Sequence, residues 1–174
     1  ELAFMEYKVV NQSAIFDKDV PEVGFRKQMA QLYYKFNQID ESLKEYLLLT
    51  KIEPNNGDNF YNAGKLFEER GKTEQALVQY KKAIKLDPKH VKAHAALGLL
   101  YYRTKQFAEA KQEIDLAIRL SPDTYSTYYY LGKIYKENKN FPAAVNAFEK
   151  SLRDPQFKQK SLIERGNCFM AVHS

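Results

Sequence analysis

Cysteine is nearly absent. Cys168 is the single thiol in 174 residues, so no internal disulfide forms and no cysteine-based zinc site is assembled. One thiol also leaves the redox compartment open. Glycine and proline are scarce, at seven and six, too few for an all-β chain that must turn roughly every ten residues. Long apolar runs are missing: charged residues interrupt each hydrophobic stretch well short of the roughly 18 residues that a spanning helix needs, and the mean hydropathy is −0.59. No membrane span is expected in this stretch. Nor is there a large excess of charge of one sign. Lys plus Arg number 27 against 22 Asp plus Glu, a net charge of +5, which favours acidic partners without requiring nucleic acid. What is present, 44% hydrophobic, 28% charged and 14% aromatic residues, is the composition of a packed, soluble protein of about one domain.

Three registers share one period. Pro54, Pro88 and Pro122 are 34 residues apart, as are Gly64, Gly98 and Gly132, and Ala76, Ala110 and Ala144. Between them lie matching sites: Phe60, His94, Tyr128; Ala63, Leu97, Leu131; Phe67, Tyr101, Tyr135; Tyr80, Ile114, Phe148; Ala83, Ala117, Ser151. Spacings of three and four are helical. A small residue such as Gly98 or Ala110 lets a neighbouring helix approach, and a large one nearby, Tyr101 or Ile114, fills the adjoining groove. Pro88 and Pro122 cannot continue a preceding helix. Gly71 after Arg70 suits a left-handed cap, and Pro142 is harmless in a first turn. The pattern predicts helices at 23–36, 39–52, 57–70, 73–86, 91–104, 107–120, 125–138 and 141–152.

This pattern resembles the tetratricopeptide repeat family, W-x-x-L-G-x-x-Y, then A-x-x-x-F, then P, in 34 residues. Residues 57–90 carry it as FYNAGKLF and ALVQYKKAIKLDP, 91–124 as HAALGLLY and AKQEIDLAIRLSP, and 125–155 as YYYLGKIY and AVNAFEKSLRDP. Residues 23–56 form a divergent copy through Arg26, Met29, Ala30, Tyr33, Ser42, Tyr46, Leu49 and Pro54. There Ala30 replaces Gly and Leu49 replaces Ala, which implies wider helix spacing or an altered contact. In residues 1–22, Ala3, Tyr7 and Val10 take the places of Ala76, Tyr80 and Ala83, as a second helix of a preceding partial repeat, followed by a long linker from Asn11 to Pro21. The expectation is a fragment of a larger protein whose compartment is unknown, with the cytoplasm as default and the periplasm open. Residues 156–174, with Leu162, Gly166 and Phe169, are either a capping helix or the start of a fifth repeat. The resemblance implies an all-α fold, a right-handed superhelical solenoid of stacked antiparallel helix pairs.

Side chains capable of chemistry are few. His90 and His94 are spaced for one helical face, but His94 holds the place of Phe60 and Tyr128 and no zinc-protease carboxylate follows, so both are assigned to packing rather than to a metal. Cys168 is read as a small buried hydrophobe. Glu68-Glu69 and Asp17-Lys18-Asp19 are solvated charges, and the glycines are isolated, so no phosphate-cradling loop exists. No enzyme, no metal and no cofactor are expected.

Stacked helix pairs instead offer a concave face. By resemblance, its groove places are the second, fifth, ninth and twelfth of each repeat: Gly24, Lys27, Gln31, Tyr34; Asp58, Tyr61, Lys65, Glu68; Lys92, Ala95, Leu99, Tyr102; Ser126, Tyr129, Lys133, Lys136. The candidate partner-binding set is Lys27, Gln31, Tyr34, Tyr61, Lys65, Tyr102, Tyr129, Lys133 and Lys136, in which tyrosines offer contact area at low rotamer cost and lysines favour acidic partners. Some family members hold a C-terminal carboxylate in a clamp of Lys, Asn, Asn, Lys and Arg. This chain departs from it: Lys27 matches, Gln31 and Lys65 replace the asparagines, and Ala95 and Leu99 replace the Lys and Arg. The expected function is a noncatalytic protein-interaction scaffold that takes a partner peptide or helix in the groove. The alternatives are a nucleic-acid-binding repeat, or a docking module for an enzyme domain outside this chain. Self-association through the solenoid ends is also expected.

Overall fold

The computed structural model describes residues 22–172, where apolar residues three and four apart wind into helices. They are α1 (Glu22–Lys35), α2 (Ile39–Ile52), α3 (Gly57–Glu69), α4 (Thr73–Leu86), α5 (Val91–Arg103), α6 (Phe107–Leu120), α7 (Tyr125–Glu137), α8 (Phe141–Ser151) and α9 (Lys158–Val172). The expected second helix around Ala3, Tyr7 and Val10, and the linker from Asn11 to Pro21, lie outside the described residues. Among the described residues there is no strand.

Helix ends repeat with the sequence period. The first helix of each pair closes on a left-handed residue: Asn37 (φ 58), Gly71 (φ 69), Lys105 (φ 63) and Lys139 (φ 58). At Gly71 the backbone N–H donates to Glu68 O at 2.9 Å and that of Lys72 to Phe67 O at 2.9 Å, the paired bonds that satisfy a helix's last carbonyls. Only one of these positions is glycine, so the sequence signals only one of the four caps. The second helices α4 and α6 stop on extended residues ahead of proline, Asp87 (φ −130) before Pro88 and Ser121 (φ −146) before Pro122.

Each first helix buries two faces. Toward its own second helix it presents the glycine: a Cβ on Gly64, Gly98 or Gly132 would lie 2.7 Å from the side chain of Tyr80, Ile114 or Phe148. Only the missing side chain permits that approach. Toward the preceding pair it presents residues five before and two after the glycine. Ala93, for example, packs with Phe60 and Ala83, and Asn59 donates to Leu49 O at 3.4 Å. In the divergent first pair the altered contact is a hydrogen bond, with buried Ser42 donating to Ala30 O at 2.8 Å. Successive pairs stack, and the first helices α3, α5 and α7 also touch one another. They therefore form the inner wall of an all-helical solenoid.

The two histidines are absorbed by this framework. His94 is buried, its Nδ1 2.6 Å from a Glu113 carboxylate oxygen and its Nε2 3.0 Å from Pro88 O, while His90 Nδ1 caps α5 by accepting from Ala93 N. Cys168 is fully buried against Ala144 and Phe148. Burial pushes its thiol above the ordinary range, which disfavours the reactive thiolate.

Candidate functional site

The inner wall divides into three stretches of different character. At the N-terminal end, α1, α3 and the start of α5 surround a pocket of 490 Å³ whose walls include Lys27, Gln31, Tyr34, Asn59, Asn62, Lys65 and Lys92. Lys27 Nζ lies 2.9 Å from Glu53 Oε2, and Asn59 Nδ2 donates to the same oxygen at 2.9 Å. Hydrogen bonds from Lys27 and Asn59 hold the Glu53 carboxyl below its ordinary value. Lys65 Nζ sits 4.3 Å above the Tyr34 ring, whose hydroxyl donates to Glu69 at 2.7 Å. Burial opposes the Lys65 charge, but Tyr34 and Glu69 outweigh it, so the ammonium is held above the usual lysine range. Lys92 is exposed and makes no ion pair with any described residue.

The middle stretch is apolar. A second pocket, of 480 Å³, is floored by Ala95, Ala96 and Leu99 of α5 and walled by Tyr61, Val91, Thr127 and Tyr130, with Lys92 at the shared border. Tyr61 packs on His90 with ring centroids 5.3 Å apart, and burial raises its phenol above the ordinary value. Tyr102 leans on Phe107 and Tyr130 at 5.8 and 6.0 Å. Thr127 Oγ1, in the wall, is buried without a hydrogen-bond partner among the described residues.

The third stretch is occupied from within. Glu164 of α9 accepts from Lys133 Nζ at 2.8 Å and from Lys136 Nζ at 2.6 Å. Burial works to raise the Glu164 carboxyl, but the two lysines overcome it and hold it below the ordinary value. Tyr129 stacks against Phe157 at 5.0 Å and Phe148 at 5.8 Å.

The nine residues singled out from the sequence thus do not form one surface. Lys27, Gln31, Tyr34 and Lys65 share the basic pocket, Tyr61 borders the apolar one, and Tyr102 stands beyond it. Tyr129, Lys133 and Lys136 are engaged by the segment around α9. Sequence reasoning passed over Asn59, Asn62 and Tyr130, and left Lys92, Ala95 and Leu99 out of the set although they held groove places. Asn56, Asn59 and Asn62 line the basic pocket together with Lys27, Gln31, Lys65 and Lys92, and no arginine lines it. Asn62 follows Tyr61 by one residue, and a place-by-place scan misses it because the face of a helix is wider than one residue.

Comparison with known proteins adds the following. Residues 64–105 match the family model described as TPR repeat, and residues 91–124 and 125–153 match models described as tetratricopeptide repeat. No curated protein matches the chain. Among solved structures, the crystal structure of MamA protein superposes with a TM-score of 0.75 at 21% identity, covering 85% of this chain and 81% of that one. YrrB, described as a TPR protein with an unusual peptide-binding site, gives 0.73 at 17% identity over 94% and 86%. The first TPR of Spaghetti (RPAP3), bound to the HSP90 peptide SRMEEVD, gives 0.65 at 21% identity over 68% and 94%. These likenesses establish the fold.

Proposed function

The chain belongs to the tetratricopeptide repeat family, and from that premise we propose that it is a noncatalytic scaffold. Its groove takes an acidic peptide, the carboxylate between Lys65 and Lys92 and a neighbouring apolar side chain over Ala95 and Leu99. The observation that carries this is the adjacency of the two pockets across Lys92: one polar and cationic, the next apolar, both open on the inner wall. Lys65, charged and half-buried, gains more from a carboxylate than a fully solvated lysine does. The wall is built of packed helices, so binding requires little backbone change. The peptide-bound neighbour shows an acidic peptide on another protein of this fold, which is consistent with this use of the groove.

The test is fluorescence anisotropy with an acidic heptapeptide carrying a free C-terminus and with its amidated counterpart in which Gln replaces Glu. The acidic peptide binds at about micromolar Kd, and Lys65→Ala and Lys92→Ala each weaken it about tenfold. Lys133→Ala leaves the affinity within about twofold, because that lysine already serves Glu164. Equal affinity for both peptides, or no loss in Lys92→Ala, overturns the proposal.

A further inference from the structure

The cations of the inner wall are not equally free. Lys27 pairs with Glu53 at 2.9 Å, and Arg103 pairs with Glu68. Lys65 lies over the Tyr34 ring and Lys92 is exposed, and neither makes an ion pair with a described residue. At the α9 end, two lysines share one carboxylate. Glu164 Oε1 is 2.8 Å from Lys133 Nζ, and Oε2 is 2.6 Å from Lys136 Nζ, so each oxygen already holds an ammonium. The side chains of Glu164, Lys133 and Lys136 are only 15%, 22% and 31% exposed, which limits screening by solvent ions. Glu137 adds a second acid there. Burial raises the Tyr102 phenol, and around that hydroxyl Lys133 works to lower it while Glu137 and Glu164 work to raise it. The apolar pocket between the two ends is bordered by the hydroxyl-bearing Ser121, Thr124, Ser126 and Thr127, and Lys92 is the one charged residue among its described walls.

We infer, on the premise that this wall is the binding groove, that Glu164 is a specificity-determining residue. It rejects a second acidic group at the α9 end, so the partner segment carries its acid at one end only, then an apolar residue, then uncharged residues. A carboxylate brought to Lys133 and Lys136 must share them with Glu164, and repulsion between the two carboxylates offsets what the lysines give. A basic residue gains nothing either, because Glu164 already holds two ammonium groups. Discrimination of this kind comes from a repulsive element placed beside an attractive one. The charge of the partner is thus read at Lys65 and Lys92 alone.

The experiment is fluorescence anisotropy at neutral pH with end-blocked heptapeptides of leucine and serine that carry one Glu at the amino end, one at the carboxyl end, or one at each. An extended heptapeptide spans about 23 Å and touching first helices stand about 10 Å apart, so it reaches from Lys92 of α5 to Lys133 of α7. On the native chain the two-acid peptide binds within about twofold of the better one-acid peptide, and on Glu164→Gln it binds about tenfold tighter than that peptide. Adding Lys133→Ala and Lys136→Ala to Glu164→Gln removes the gain, which separates an anion site at the two lysines from a general loosening of α9. A two-acid peptide already about tenfold tighter on the native chain overturns the inference without recourse to any variant. So does a Glu164→Gln chain that gains nothing, or a gain that survives loss of both lysines. Each of these leaves the groove itself in place. Failure of every peptide to bind the native chain up to about 1 mM overturns the groove reading, and the role of Glu164 with it.

Discussion

A Cβ added at Gly98 would lie 2.7 Å from Ile114 Cγ1 and 3.2 Å from Ala110 O, and the backbone oxygen cannot swing aside. Gly98→Leu is therefore expected to cost about 2 to 3 kcal/mol. The same change at Gly166 replaces a poor helix former in open space and stabilises α9 by roughly 0.5 to 1 kcal/mol. Urea midpoints measured side by side check the pair, and equal shifts would contradict the packing. A second residue-level cost sits in the turns. Lys105 and Lys139 hold φ near +60°, a region that costs a side-chain-bearing residue roughly 1 to 2 kcal/mol. Part of that is regained in the unfolded state, where glycine is more flexible, so Lys105→Gly is expected to raise stability by about 0.5 to 1 kcal/mol. Thermal denaturation at fixed pH measures it.

Among the elements, α9 is anchored by charge as well as by packing. Its anchorage combines the buried Ser161 and Cys168 with the pairing of Glu164 to Lys133 and Lys136. Because the folded Glu164 carboxyl lies below its ordinary value, the pairing contributes fully above the ordinary carboxylate range and is lost as pH falls through the depressed value. Amide exchange in α9 is thus expected to keep its protection from about pH 7 to 5 and to lose it below about pH 4, before that of α3 to α6. Glu164→Gln should show the low-pH behaviour already at pH 7. Protection in this variant equal to that of the native chain would mean that apolar packing alone holds α9. Release of α9 would also free Lys133 and Lys136, lengthening the cationic wall.

For the whole molecule, ion pairing decides how much of the net charge of +5 a polyanion can use. Lys27, Lys133 and Lys136 are paired with Glu53 and Glu164, whereas Lys92 has no described partner. With about two groove cations to offer, a single-stranded oligonucleotide should bind with a log–log salt slope of only about −1.4, and weaker than micromolar at roughly 150 mM salt. Submicromolar binding there would favour the nucleic-acid alternative. The sequence alone determined helices α1 to α8, whose observed ends fall within one residue of the spans drawn from periodicity, because small and large residues at fixed places encode local packing. It also determined the stacking, because each repeat must bury its apolar face against the next. It did not determine which groove places are free. That Glu164, 31 residues on from Lys133, neutralises it, and that Lys27, Asn62 and Lys92 of three successive repeats line one pocket, follows from how the helices stack. Tertiary structure alone decides such contacts, because a charge is available to a partner only where no distant side chain of the same molecule has already compensated it.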